Sequence, residues 1–439
     1  DAHSPSAVCS PTRYGVLTGR YAWRTRLKRG VLWCWDKPLI DSDRLTVGKI
    51  LQNAGYHTAC IGKWHLGWQW HDATGQHTTR GSKVDFSKPV TGGPIERGFD
   101  YYFGDDVPNW PPFVWIENER AAGIPTETMK ADGANGVSAG PAMAGWSFEK
   151  VLPSITEKCV NYIAERAKSD KPFFLYFAMT SPHTPINPSE RFRGKSGVSK
   201  YADFLMETDW SIGRLTAALD DHGLAENTLV VFAADNGTSP KCNFEDLEQK
   251  NVHLREHWRG HKADIWEGGH RVPFVARWPG VIRSGSRCSE VISLVDFMAT
   301  AAEVVGVKLP DDAGEDSVSL VDLFKGRKWN SRGREAIVCH SSNGWFAVRR
   351  GRWKIEFCPG SGGWSAPKGK QALDMGLPPH QLYDLEIDPK EQNNIYEKNP
   401  EVVTELKALL RRYIEQGRST TGKPQTNDGP AHWKQLPWD

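Results

Sequence analysis

Pro172-Phe173-Phe174-Leu175-Tyr176-Phe177-Ala178-Met179 is a continuous apolar run, the mark of a strand buried on both faces. Before it, Ile155, Cys159 and Ile163 share one helical face over residues 155–167. After it, Tyr201, Phe204, Leu205, Ile212, Leu215 and Leu219 repeat the helical pattern until Gly223, and residues 228–234 form a second apolar strand. The alternation extends both ways. Residues 45–53 read as a helix stopped by Gly55, with a strand at 56–61, and residues 272–278 and 294–305 read as strand and helix. Such alternation predicts an α/β fold with a large, mostly parallel sheet flanked by helices. The texture changes near residue 330. Residues 345–348 and 353–357 read as a hairpin about Arg350-Gly351-Arg352, and Asn399-Pro400 supplies N-cap and N1 of a helix ending before Gly417. The expected organisation is a main domain over 1–330 and a small α+β subdomain over 331–439.

The 439 residues carry 55 Lys+Arg against 53 Asp+Glu, a net charge of +2. That balance gives no field for a nucleic-acid partner, and no stretch reaches the ~20 apolar residues of a membrane span. Forty-two glycines and 28 prolines beside 19 tryptophans describe a loop-rich globular chain. The eight cysteines are irregularly spaced and contain no C-x-x-C pair, which removes support for a zinc ribbon or thioredoxin-type site.

Two strings carry the chemistry. Cys9-Ser10-Pro11-Thr12-Arg13-Tyr14-Gly15-Val16-Leu17-Thr18-Gly19-Arg20 places a thiol in a turn before a helix expected to begin around Pro11. The positive end of the helix dipole and the forks of Arg13 and Arg20 favour anions there. Gly55-Tyr56-His57-Thr58-Ala59-Cys60-Ile61-Gly62-Lys63-Trp64-His65-Leu66-Gly67 places Lys63 and His65 just after a strand, where α/β sheets present ligand-binding groups. These strings resemble the two signatures of the type I, formylglycine-dependent sulfatases, C-x-P-S/T-R-x-x-x-L-T-G-R and G-Y-x-T-x-x-x-G-K-W-H-L-G. Thr12 stands where serine is more usual. Further segments resemble family elements: Arg97 to Gly104, Ser181-Pro182-His183-Thr184-Pro185, Ala234-Asp235-Asn236-Gly237, the stretch from Arg259 to Pro273 with Glu267-Gly268-Gly269, and Leu382 to Pro389. Asn236-Gly237-Thr238 is also a formal glycosylation sequon, but a metal-ligand asparagine is the better reading.

The resemblance implies an alkaline-phosphatase-superfamily fold and the hydrolysis of sulfate monoesters. It implies that Cys9 is converted to formylglycine by a formylglycine-generating enzyme. One Ca²⁺ would be held by Asp235, Asn236 and the modified Cys9. Lys63 and Lys262 would grip sulfate oxygens, Arg13 would brace the residue-9 and metal side, His65 would act as base, and His183 would protonate the leaving alcohol. Asp264, His270, His340 and Trp110 are candidate substrate contacts. Trp68, Trp70, Trp115 and Trp364 also lie in loops and could wall a pocket. Residues 111–118 and 357–364 resemble bacterial polysaccharide sulfatases, which makes a sulfated carbohydrate of the galactose or N-acetylgalactosamine type the expected partner.

Family members carry two adjacent aspartates some tens of residues before the signature cysteine. Eight residues precede Cys9, so a first strand and that half of the metal site are expected outside this sequence, with a periplasmic or secreted leader, and this chain is expected to be impaired without them. Two other readings compete. A phosphatase or phosphodiesterase of the same superfamily would present Ser or Thr and a richer Asp/His set for two zinc ions. A carbohydrate-binding pseudoenzyme would fit the many tryptophans and the missing aspartates.

Overall fold

His57–Gly62 lies between Phe173–Ala178 and Tyr101–Gly104, parallel to both, with Phe173 opposite His57 and Ala59 opposite Tyr101. The short strands Ile116–Glu117 and Arg120–Ala121 continue this five-stranded sheet antiparallel. The structure is a computed structural model describing residues 1–439 except 255, 332, 429–432, 434 and 437–439. The chain divides into two units: residues 1–31, 229–240 and 253–439 form the first, and residues 32–228 and 241–252 form the second.

The second unit holds this sheet. Ser199 caps the helix Lys200–Asp221 by accepting from Ala202 N, and Thr46 caps Val47–Asn53 by accepting from Lys49 N. The helix Val151–Arg166 packs against Lys200–Asp221, and Ile61, Phe103, Leu152, Ile155, Cys159 and Phe204 form the core between helices and sheet. Phe173–Ala178 departs from its expected burial on both faces: five of its six residues are only half-buried. It is an outer strand with one hydrogen-bonded neighbour among the described residues, so an unbroken apolar run does not make it central. At the end of His57–Gly62, Gly62 has φ +110°, and a β-carbon there would stand 2.1 Å from Ala178 O. Only glycine fits, and the chain turns directly into Lys63.

The first unit begins with Ala2–His3, paired parallel to Ile292–Ser293, and the helix Cys9–Thr18. The helix starts at Cys9, two residues earlier than Pro11. Proline is tolerated in a first turn, where its missing N–H has no intrahelical acceptor to lose. Val230–Ala233 pairs antiparallel with Phe274–Arg277. Ile337–His340, Phe346–Arg350, Trp353–Glu356 and Gln381–Asp384 form an antiparallel sheet in that order, joined by the expected hairpin. The helix Pro400–Glu415 lays Val403, Leu406, Leu410 and Tyr413 into a core that also contains Tyr21, Trp23 and Val295. Its N-terminus differs from expectation, because Asn399 donates through Nδ2 to Ile395 O and does not cap. No helix among the described residues is long and apolar enough to cross a membrane.

Candidate active site

In the first unit, Cys9 is the opening residue of a ten-residue helix and is 3% exposed. Thr12 Oγ1 donates back to Ser6 O and Val8 O, tightening the entry to the helix. One turn after Cys9, Arg13 directs Nε and Nη2 at Asp235 Oδ2, each at 2.9 Å. Asp235 and Asn236 follow the strand Val230–Ala233, where an α/β fold exposes loop side chains. Three backbone bonds gather the pieces. Ala263 N donates to Ala7 O, Lys262 N to Thr238 O, and Gly237 N to Gly269 O, at 2.8–2.9 Å. Cys9, Arg13, Asp235, Asn236 and Lys262 are thereby joined by one set of local bonds.

Asn236 presents an acceptor that a cation would satisfy. Its Nδ2 donates to Gly237 O at 3.0 Å, which fixes the amide orientation, and its buried Oδ1 has no partner among the described residues. A buried acceptor without a donor is costly, and a hard cation would relieve it. Asp235 adds a carboxylate beside it. The donor chemistry therefore fits calcium, although these two residues supply fewer oxygens than the six to eight that Ca²⁺ takes.

In the second unit, Lys63 N donates to Ala178 O, and the Lys63 side chain is buried. His65 has φ +56°, a left-handed conformation unusual for a non-glycine residue, held by its N–H to Asp106 Oδ1 at 3.0 Å. Burial raises the Asp106 carboxyl above its ordinary value, while His65 and other neighbours pull it back. His65 Nε2 lies 2.9 Å from Leu32 O. A carbonyl only accepts, so Nε2 carries the proton in the neutral ring and the lone pair sits on Nδ1. Nδ1 is buried and has no partner among the described residues. His183 has the opposite arrangement: Nδ1 donates to Thr184 O at 2.8 Å, which in the neutral ring puts the lone pair on Nε2. Trp110 stands edge-to-face on His65, with ring centroids 5.6 Å apart.

Three nominated substrate contacts have other work. Asp264 is fully buried, and its carboxylate accepts from the backbone N–H groups of His261, Trp364 and Ser365 and from the Ser365 hydroxyl. It braces loops and has no free face for a sugar. His270 Nδ1 meets His3 Nδ1 at 3.0 Å and its Nε2 meets Ile265 O, so the ring is enclosed. His340 is enclosed as well, with its ring against Phe346, and burial lowers its pKa to about 4. Its carbonyl accepts from Ala7 N and Ser6 Oγ, so it supports the approach to Cys9 through its backbone. Among the loop tryptophans, Trp68 and Trp70 are core, and Trp115 is wedged between Phe103 and Trp146. Trp364 is exposed.

Sequence reading missed Lys354. It is fully buried, contacts Glu267, Glu356 and Glu391 at 2.6–3.1 Å, and donates to Ile265 O in the segment that carries Lys262. Burial opposes its charge, yet the three carboxylates hold its pKa above the ordinary lysine value. The available signal was Lys354 and Glu356 two apart on one face of an internal strand.

The Sulfatase family model matches residues 1–307. The chain is 31% identical to an N-acetylgalactosamine-6-O-sulfatase of Bacteroides thetaiotaomicron, across 93% of this chain and 84% of that protein. It is 30% identical to human arylsulfatase A, across 93% and 79% respectively. A solved sulfatase structure from work on glycosaminoglycan metabolism by Bacteroides thetaiotaomicron superposes with a TM-score of 0.78 at 30% identity, covering 94% of this chain and 90% of the other. With the signature cysteine, the lysine–histidine pair and the mixed α/β architecture all in place, the chain belongs to the sulfatase family.

Proposed function

We propose that this sulfuric ester hydrolase cleaves sulfate monoesters on galactose or N-acetylgalactosamine units of a polysaccharide, using formylglycine at position 9 and one calcium ion. The observation that supports this most is the Arg13–Asp235 bond, which ties the helix opening at Cys9 to the loop where Asn236 Oδ1 lacks a donor. The sugar class follows the bacterial relative, an N-acetylgalactosamine-6-O-sulfatase.

A formylglycine hydrate at position 9, made by a formylglycine-generating enzyme, supplies a hydroxyl nucleophile and a route for releasing sulfate. A bare thiolate offers no such route. Asp235, Asn236 and residue 9 would hold the calcium, which would supply positive charge at the reacting ester when bound. Lys63 and Lys262 hold the other non-bridging oxygens, where charge develops as the ester bond breaks. Arg13 keeps Asp235 oriented. His183, which must carry protons on both ring nitrogens for this step, gives the Nε2 proton to the departing sugar oxygen as its bond to sulfur breaks and the position-9 hydroxyl bonds to sulfur. His65 Nδ1 then takes the proton of the remaining hydroxyl of the sulfated hydrate, whose C–O bond breaks to release sulfate and leave the aldehyde for water to rehydrate. A neutral His65 with its lone pair on Nδ1 suits that role, and the Nδ1–H bond to Thr184 O aims His183 for its own.

Mass spectrometry of the active enzyme, with turnover on a panel of sulfated monosaccharides, tests the proposal. Formylglycine in the residue-9 peptide and preference for a sulfated galactose or N-acetylgalactosamine are expected. Full activity with an unmodified Cys9 would refute it.

A further inference from the structure

Three side chains in the second unit have properties that core packing leaves unexplained. Trp33 is 40% exposed, although it meets Trp110 with ring centroids 4.5 Å apart and planes inclined at 51°. The two indoles form an open wedge, and the Trp110 side of it rests on His65. Next along the chain, Asn109 is 7% exposed, and its Oδ1 is buried with no partner among the described residues. Its orientation is fixed, because Nδ2 donates to Gly136 O at 2.7 Å, and a flipped amide would set two acceptors against each other. A β-carbon built on Gly136 would lie 3.9 Å from Asn109 Nδ2 and 3.6 Å from Thr184 Oγ1. Asn109 is therefore one small residue away from the segment that holds His183.

A sugar ring matches these features. Its C–H face is apolar and stacks on indoles, and its rim carries hydrogen-bond donors. A lone carboxamide oxygen accepts only, so its partner must donate. A sterol or simple aryl sulfate has no donor beside its ester.

Resting on the proposed carbohydrate-sulfatase activity, we infer that Trp33, Trp110 and Asn109 form the subsite for the sugar ring bearing the sulfate, with Asn109 Oδ1 accepting from a ring hydroxyl or acetamido N–H. The wedge determines where the ring lies, and Asn109 discriminates between sugars and esters that lack a donor. A site built to meet a donor rejects an analogue without one, because its own acceptor would stay unpaired.

The test uses the full chain, with N-acetylgalactosamine 6-sulfate and 4-nitrophenyl sulfate as probes. Calorimetry should show Trp33→Ala weakening sugar binding at least about fivefold, while Trp33→Phe stays within about threefold of wild type. Asn109→Leu should lower the ratio of kcat/KM for the sugar sulfate over that for nitrophenyl sulfate at least about tenfold. Wild-type sugar affinity in Trp33→Ala, or an unchanged ratio in Asn109→Leu even with both rates reduced, overturns the subsite. Where no form of the protein that carries the expected first strand turns over either ester, the proposed activity fails. The subsite is then judged by calorimetry alone, with Asn109→Leu held to the same fivefold loss.

Discussion

Arg13 directs both Nε and Nη2 at Oδ2 of Asp235, each at 2.9 Å. The guanidinium fork makes the carboxylate's direction depend on the helix that starts at Cys9. Arg13→Lys keeps the charge and loses the fork. Turnover of nitrophenyl sulfate should fall by about a hundredfold with the far-ultraviolet dichroism unchanged, because a misdirected carboxylate misplaces everything it helps hold. A rate within twofold of wild type would show that the fork is dispensable.

Asn236 allows metal binding to be read without catalysis. Its orphaned oxygen should cost stability when no cation is bound and return that cost when one is. Thermal melts should show calcium raising the wild-type midpoint. Asn236→Leu should match or exceed the wild-type midpoint in chelator and respond little to calcium. An equal calcium shift in both proteins would remove Asn236 from the ligand set.

The two histidines should separate by leaving group. A sugar alcohol needs a proton as it departs, and nitrophenolate scarcely does. His183→Ala should slow sugar-sulfate hydrolysis by about 10²–10⁴-fold and nitrophenyl-sulfate hydrolysis far less. His65→Ala should damage both substrates alike. Steady-state kinetics on the two esters decides this, and equal losses for His183→Ala would reassign it to holding sulfate.

Acid should loosen the first unit before it reaches ordinary carboxylate pKa values. Burial lowers the pKa of His340 from 6.5 to about 4, and His3 and His270 lie well below 6.5 for the same cause. The unfolded chain takes up these protons first. The stability is thus complete above pH 6.5 and is lost as pH falls toward 4, at up to about 1.4 kcal/mol per pH unit for each ring. Urea unfolding between pH 7.5 and 4.5 measures the slope. His340→Gln should remove one histidine's share of it, and an unchanged slope would mean that the ring is not neutral in the fold.

Much of this was legible in the residues. Gly62 before Lys63 and the Asp235-Asn236 pair after an apolar strand lie at strand ends, where the alternation of elements put them. The half-burial of Phe173–Ala178 was not legible, because an apolar run records what a strand can bury and its neighbours decide what is buried. Asp264, His270 and His340 have residue types that suit a ligand, yet type alone does not reveal that backbone amides and a second histidine already meet the first two, or that the third is enclosed beside Phe346. Lys354 was passed over in the sequence, since its three carboxylates come from positions as far away as Glu267.

The segment before Cys9 is anchored late. Ser4 N donates to His270 O, Ala7 O accepts from Ala263 N, Ala7 N donates to His340 O, and Ser6 Oγ donates to His340 O across 334 positions. At roughly 5–20 residues per second of synthesis, those partners emerge about 15–70 s after Cys9 does. Throughout that interval the side chain that ends 3% exposed lies on an open nascent polypeptide. The topology thus leaves the anchoring of the segment that enters the Cys9 helix to the strand Ile337–His340, one of the later elements of the chain to be made.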